Sequence, residues 1–168
     1  MPKRAVNSFR DRVIGLRRVP ANTLLPHPAN WRRHPPAQNA ALRGVLAEIG
    51  FADALIARET PAGLQLIDGH LRREVMGNQE VPVLVVDLDE AEAEQLLVTL
   101  DPLAAMASHD QEALLSLLES VRFQDKAVND LLEALANDNY QSLTPMPPLH
   151  EPKPDPGPQI DRAAELQV

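Results

Sequence analysis

Short apolar runs separated by polar turns dominate the first half of the chain. Four such runs predict β-strands, and the last of them is rich in β-branched residues, as is typical of a buried strand. The runs lie at 13–16, 54–57, 64–67 and 83–86. Between the first two runs, apolar residues from Leu42 to Ile49 recur at i, i+3, i+4 and i+7 and end before Gly50. This spacing predicts an amphipathic helix with a glycine at its C-terminal end.

Helical spacing takes over in the second half. A short helix is predicted at 71–76 and ends at Gly77. Asp89 and Glu92 have the spacing of a capping box and predict the start of a longer helix, which we expect to be interrupted at Asp101-Pro102. Two further amphipathic helices carry leucine and valine stripes at 114–121 and 128–135. The expected fold class is therefore α+β, a small mixed β-sheet with flanking helices and a helical C-terminal half.

Proline marks the last part of the chain as different. Seven of the 16 prolines fall between Pro145 and Pro158, where neither a helix nor a central strand can form. We expect a basic N-terminal extension at 1–12, a folded domain at 13–107, helices packed on it at 108–138 and a disordered Pro-rich linker or tail at 139–168. Because linkers usually join two parts, either the chain is a fragment or the tail is an adaptor for a partner.

Composition narrows the class of protein. The chain has no cysteine, which excludes disulfides, thiolate metal sites and a cysteine nucleophile. No apolar run approaches the roughly 18–20 residues of a membrane helix, and the charged N-terminus lacks the apolar core of a secretory signal. We therefore expect a cytoplasmic protein that does not bind membranes. Aromatic residues make up only 3% of the chain, so its core must be aliphatic.

The net charge of −8 hides an asymmetry between the two halves. Residues 1–80 carry 12 Lys and Arg against 7 Asp and Glu, whereas residues 81–168 carry 4 against 17. Thirteen of the 16 cations are arginine, whose planar fork suits bidentate contacts to phosphate. The basic half could meet an anion, and the acidic half would repel one.

One segment, 64–76, combines these features. An apolar strand runs through Asp68 and Gly69 straight into a helix that carries Arg72 and Arg73 in its first turn. Unpaired backbone N–H groups at a helix start, with an arginine beside them, are suited to binding a phosphate group. A plain strand–helix turn with two solvated arginines is the alternative explanation of this pattern. Asp68 would then serve only to cap the helix.

The sequence Asp68-Gly-His-Leu-Arg-Arg-Glu74, with its flanking strands, resembles the ParB/sulfiredoxin superfamily. Asn30-Trp31-Arg32 resembles the Asn-x-Arg that follows the first strand in ParB-like domains, and the likeness spans 13–107. The resemblance implies a ParB/sulfiredoxin-like fold in which Gly69 and Arg72 bind nucleotide phosphates, with His70, Arg73 and Arg32 assisting. It also implies a nucleotide, CTP or ATP, together with Mg²⁺ as candidate cofactors.

Two departures from the family pattern limit the chemistry. Sulfiredoxin activity needs a cysteine beside the glycine of this turn, where the chain has His70, so that activity is excluded. Where chromosome-partition ParB proteins carry an Asn-containing motif, this chain has Thr99 to Met106. Asp101 in that stretch, like Asp68, is a candidate for a metal or polar contact. No pair of histidines has the spacing of a zinc site.

The segments 100–107 and 158–168 resemble a ParB-like subgroup of phage and bacteria found N-terminal to DNA-modification methyltransferases. The leading hypothesis is thus a nucleotide- or DNA-associated accessory module of a DNA-modification system, with no methylase motif of its own. DNA is its expected partner, directly or through a methyltransferase, and a second copy of the chain is a further candidate partner. One alternative is a metal-dependent nucleotide hydrolase, phosphotransferase or nuclease. The other is a non-catalytic adaptor for a protein partner.

Overall fold

The computed structural model of the protein describes residues 9–137. The strands are β1 (Val13–Pro20), β2 (Leu55–Thr60), β3 (Gly63–Asp68) and β4 (Glu80–Val86). The helices are α1 (Pro36–Glu48), α2 (His70–Met76), α3 (Glu90–Ala105), α4 (Gln111–Ser120) and α5 (Lys126–Ala136). A single 3-10 turn, Ala21–Thr23, follows β1. The expected disordered tail at 139–168 lies outside the described residues, as does the start of the basic extension.

The four strands form one mixed sheet in the order β1-β4-β2-β3. Two antiparallel pairs, β1 with β4 and β2 with β3, are joined by the parallel pairing of β2 with β4. The last strand of the sheet is thus inserted between the first two along the chain. This arrangement, with helices around the sheet and helices alone after β4, confirms the predicted α+β class.

Helices cover both faces of the sheet with aliphatic side chains. One face packs against the 3-10 turn and Met76 of α2. Its buried residues are Ala21, Leu24, Leu55, Ala57, Leu66, Val81 and Val83. The other face packs against α3 through Ile67, Val86, Ala93 and Leu97. These two clusters, one on each face of the sheet, form the core. Among the described residues, no aromatic side chain is fully buried.

Helix α3 begins as the sequence predicts and ends later. Asp89 and Glu92 form the expected capping box, in which each side chain accepts a hydrogen bond from the other's backbone N–H. The predicted interruption at Asp101-Pro102 is wrong, because the helix continues through Pro102 to Ala105. Proline cannot donate the hydrogen bond to the carbonyl of Val98, a residue that is 55% exposed, and the helix continues despite this loss.

The C-terminal helices are attached through α1. Val128 of α5 is fully buried, and a Cβ on Gly44 of α1 would lie 2.6 Å from its Cγ2 atom. The Glu48 carboxylate accepts hydrogen bonds from the backbone N–H groups of Gln124 and Asp125 just before α5. Helix α4 is capped by Asp110, whose side chain accepts the backbone N–H of Ala113, but the helix contains no buried residue. Its leucine stripe therefore does not enter the core.

Across residues 9–137 there is no helix with the length and apolar character needed to cross a membrane.

Candidate functional site

The segment singled out by sequence is a strand–glycine–helix turn. Strand β3 ends at Asp68, Gly69 has a φ of 99°, and α2 begins at His70. A Cβ at Gly69 would lie 2.6 Å from Cγ of Leu55, inside the protein. Glycine is thus required both by the left-handed backbone and by the packing of Leu55. Helix α2 has seven residues and ends at Met76.

A cavity of about 170 Å³ opens beside the turn. Its walls come from the loop before α1, from α1, from the turn with α2, and from α3. Six of the seven predicted site residues line it: Arg32, Asp68, Gly69, His70, Arg72 and Asp101. Apolar side chains complete the walls, namely Leu42, Ile67, Leu71, Leu97 and Leu100. Residues that are up to 69 positions apart in sequence, from Arg32 to Asp101, therefore meet at one place.

Arg72 is held by two carboxylates. Its Nη2 atom donates to Oδ2 of Asp68 at 2.5 Å, and its Nη1 atom donates to Oδ2 of Asp53. Nη1 also lies 3.4 Å from the carbonyl oxygen of Ala54. The Arg72 side chain is only 17% exposed, so these contacts keep a mostly buried charge in place.

Arg32 forms the second ion pair of the cavity. Its Nη1 atom lies 2.5 Å from Oδ2 of Asp101 on α3, and both side chains are about one third exposed, at 34% and 31%. The guanidinium also lies over the ring of Trp31, 5.8 Å from its centre, within the range of a cation–π contact. This pair joins the loop before α1 to α3 across the mouth of the cavity.

The charges of the cavity nearly cancel. Two arginines face Asp68 and Asp101 within the walls, and Asp53 adds a third carboxylate at Arg72. An anion entering the cavity would meet guanidinium groups that already have partners. It would therefore compete with these carboxylates for the guanidinium groups.

His70 is a buried hydrogen-bond acceptor. Its Nε2 atom accepts the backbone N–H of His27 at 3.1 Å, so the neutral ring carries its proton on Nδ1. The pKa of His70 is lowered to about 4, chiefly by burial; the nearby His27, His34 and Arg73 also lower it, while Asp68 raises it. His70 is therefore neutral near pH 7 and ties the loop at His27 to the first turn of α2.

Arg73 is placed differently from the other predicted residues. Its Nε atom donates to the carbonyl oxygen of Leu24 at 2.8 Å, and the residue does not line the cavity. Arg73 therefore connects α2 by a hydrogen bond to the residue that follows the 3-10 turn. Of the two adjacent arginines, the structure brings only Arg72 to the site.

Three residues at the site were not found from the sequence. Asp53 contacts Arg72 from the loop before β2, while His34 and Gln38 line the cavity and are joined by a 3.1 Å hydrogen bond. The Nε2 atoms of His34 and His27 are buried without a hydrogen-bond partner among the described residues. No local motif connects these positions with 64–76, so only the tertiary fold shows them.

Two larger concavities contain none of the predicted site residues. One, about 460 Å³, lies between α1 and α2 beside Phe51 and Met76. The other, about 540 Å³, lies between Trp31 and the face of α3 around Val98. Size alone would favour these surfaces, but the smaller cavity is the one lined by the two arginine–aspartate pairs of Arg32 and Arg72.

Comparison with known proteins relates the chain to solved structures. No protein-family model and no curated protein matches it. The C-terminally truncated chromosome-partitioning protein ParB from Caulobacter crescentus, complexed with CTP-γ-S, is similar with 18% identity and a TM-score of 0.53. That likeness covers 77% of this chain and 92% of the ParB chain.

Two further structures show lower similarity. ParB from C. crescentus complexed to the centromeric parS site has 18% identity and a TM-score of 0.44, over 79% of this chain and 73% of that one. A Pnob8-like ParB-N domain has 20% identity and a TM-score of 0.45, over 79% and 53%. The first comparison, at 18% identity, establishes architecture. The chain therefore has the fold of ParB, as the motif around Gly69 implied.

Proposed function

We propose that this chain is a ParB-like module that binds a nucleotide through the cavity beside Gly69. The observation that carries the proposal is the convergence of Arg32 and Arg72 on one cavity, although they are 40 positions apart in sequence. Guanidinium groups that flank a cavity can each offer two N–H donors to a phosphate. The similar ParB structure was solved with a nucleotide analogue, CTP-γ-S, which makes a nucleotide the first ligand to test.

The size and lining of the cavity indicate which part of a nucleotide would bind inside it. A volume of about 170 Å³ encloses one part of a nucleotide rather than the whole molecule. The charged groups of the lining are Arg32, Asp68, Arg72 and Asp101, with His34, Gln38 and His70 beside them, while Ile67 and four leucine side chains form the apolar wall. We infer that phosphate oxygens contact the arginines, with Gly69 and neutral His70 shaping the turn that holds Arg72.

A magnesium ion would depend on the nucleotide for most of its ligands. Among residues 9–137, no three His, Asp or Glu side chains converge as a metal site. Asp68 and Asp101 are each already paired with an arginine. Mg²⁺ commonly binds through one or two carboxylates together with substrate phosphates and water, so either aspartate could add a single ligand. In that arrangement the ion would supply charge neutralisation for the phosphates.

A nucleotide titration tests the proposal directly. CTP and ATP, with and without MgCl₂, are titrated into the full chain by calorimetry, comparing wild type with Arg72→Ala and Arg72→Lys. Hydrogen bonds to charged groups contribute about 1.5–3 kcal/mol, so we expect Arg72→Ala to weaken binding by roughly 10- to 100-fold. Arg72→Lys keeps the charge but not the fork, and we expect an intermediate loss.

Arg43→Ala is the matched control, because Arg43 is exposed on α1, bonds Asn39 and does not line this cavity. It should bind like wild type. Equal affinity of wild type and Arg72→Ala for every nucleotide would contradict the site assignment. Measuring free phosphate and nucleoside diphosphate in the same samples tests turnover, the enzymatic alternative, in which Asp68 or Asp101 would have to leave its arginine.

Association with DNA and with a methyltransferase extends the same proposal. The support is the ParB-like fold, the excess of cations in residues 1–80 and the subgroup-like segment 100–107, which forms the end of α3. The second segment of that resemblance, 158–168, lies outside the described residues. A gel-shift titration with duplex DNA, with and without CTP, tests the first part. Co-purification of the tagged chain with an active DNA methyltransferase tests the second, and its absence would leave a module that acts alone.

A further inference from the structure

Asp53 contacts the central arginine of the site from outside the turn. It lies in the loop between α1 and β2, 19 positions before Arg72, and its Oδ2 atom accepts from Nη1 of that arginine. Its Oδ1 atom accepts the N–H of Ala54 at 2.6 Å, which fixes the direction of the carboxylate. The Asp53 side chain is nevertheless 71% exposed.

The two carboxylates that hold Arg72 are not equivalent. Asp68 ends β3, is 29% exposed and lines the cavity, so it belongs to the wall itself. Asp53 does not line the cavity and reaches Arg72 from the solvent side. Removing Asp68 would leave a mostly buried guanidinium poorly paired, whereas Asp53 could return to water at little cost.

We propose that Asp53 is the resident anion of the site, which a ligand phosphate displaces from Arg72. This inference rests on the proposed function. Nη1 of Arg72 has two hydrogens, which face Asp53 and the Ala54 carbonyl. A phosphate oxygen that approaches Nη1 must therefore replace one of these acceptors, and the exposed carboxylate is the one that repels it. Asp53 thus keeps Arg72 extended toward the site and lowers the affinity for anions.

The alternative route to binding is costlier. Arg72 would have to turn away from both carboxylates, but its side chain is only 17% exposed and is packed between them. Exchange at Nη1 leaves the Asp68 contact intact and keeps the guanidinium paired throughout. The site is therefore arranged for replacement of one anion by another, with Arg72 nearly stationary.

The test compares Asp53→Asn with wild type in calorimetric titrations of CTP, inorganic pyrophosphate and the uncharged nucleoside cytidine, at constant ionic strength. Asparagine keeps the oxygen that accepts the Ala54 N–H and removes the charge. Exposed ion pairs contribute about 0.2–1 kcal/mol, so we expect the Kd for CTP and for pyrophosphate to fall by a factor of about 1.4 to 5. Cytidine binding should not change, because it brings no charge to Arg72.

Asp130→Asn is the matched control. Asp130 is an exposed aspartate paired with Lys126 on α5, so its substitution changes the net charge equally and leaves the cavity untouched. Asp53→Ser removes the same charge with a different short polar side chain and serves as a second variant if asparagine perturbs folding. Thermal unfolding of each variant shows whether it is folded.

Tighter binding of both anions by the two Asp53 variants alone would support the inference. Unchanged or weaker binding by Asp53→Asn and Asp53→Ser, with wild type binding CTP, would overturn the inference while the proposed function stands. Equal gains in Asp130→Asn would also overturn it, since net charge would then be the cause. No binding of CTP or pyrophosphate by wild type and by both Asp53 variants would overturn the proposed function together with the inference.

Discussion

Replacing Gly69 with alanine tests the packing of the turn most directly. The residue has a φ of 99°, and an added Cβ would lie 2.6 Å from Cγ and 3.1 Å from Cβ and Cδ2 of Leu55. A left-handed backbone costs a non-glycine residue about 1–2 kcal/mol. Forcing an extra methyl group into a packed interior costs about 1–3 kcal/mol more. We therefore expect Gly69→Ala to lower the free energy of unfolding by about 2–5 kcal/mol.

Gly50→Ala separates the two contributions. Gly50 has a φ of 90°, close to that of Gly69, but nothing lies within 4 Å of the position its Cβ would take. Its substitution should therefore cost only the backbone contribution, about 1–2 kcal/mol. Urea unfolding of wild type, Gly69→Ala and Gly50→Ala, followed by circular dichroism, gives the three free energies. A difference of about 1–3 kcal/mol between the two variants measures the clash with Leu55.

A double-mutant cycle then identifies the partner. Leu55→Ala removes two of the three side-chain atoms that crowd the new Cβ, so Gly69→Ala should cost less in that background than in wild type. Equal losses for Gly69→Ala and Gly50→Ala, with no coupling to Leu55, would refute the packing argument. The glycine would then be required by the backbone alone.

Three further predictions concern pH and the attachment of α5. Because the pKa of His70 is lowered to about 4, the unfolded chain binds a proton between pH 6.5 and 4 that the folded chain does not bind. The free energy of unfolding is therefore highest above pH 6.5 and falls by about 3 kcal/mol toward pH 4. In urea unfolding, His70→Gln should show a smaller change of this free energy over the same pH range. Hydrogen bonding to Arg12 lowers the pKa of Glu92 to about 2, so the contribution of Glu92 to stability is present above pH 4.5 and is lost as the pH falls toward 2. The melting temperature of Glu92→Gln should therefore depend less on pH in this range than that of wild type. The same pH dependence in both proteins would contradict the pairing with Arg12. Gly44→Ala should lower stability by about 1–3 kcal/mol and increase amide exchange in α5, whereas Ala47→Gly on the exposed side of α1 should change only the helix propensity.

Local patterns in the sequence were sufficient for most elements of the fold. The apolar runs mark all four strands, and the i, i+3, i+4 stripe from Leu42 to Ile49 marks the body of α1. The hairpin is tighter than expected, because β2 continues to Thr60 and only two residues connect it to Gly63. Strand order could not be predicted, since the insertion of β4 between β1 and β2 depends on which faces the helices cover.

Predictions based on local rules were less accurate where tertiary contacts or solvent decide the outcome. Proline normally ends a helix, but at Pro102 the freed carbonyl belongs to an exposed turn, and the helix continues. Arg72 and Arg73 are indistinguishable by spacing, and only the packing of α2 sends one to the cavity and the other to the Leu24 carbonyl. Asp53 gave no signal at all, because its relation to Arg72 exists only in three dimensions.

Helix α1 touches two regions that are distant in sequence. Gln38 and Leu42 in its first half line the cavity. Gly44 in its second half packs against α5 so closely that a methyl group does not fit there. Both contacts are made by one helix of 13 residues, so we expect a displacement of α1 at the cavity to be passed on to α5. A fluorescent or spin label placed on the outer side of α5 would therefore report a shift of α1 at the cavity, without a probe in the site itself.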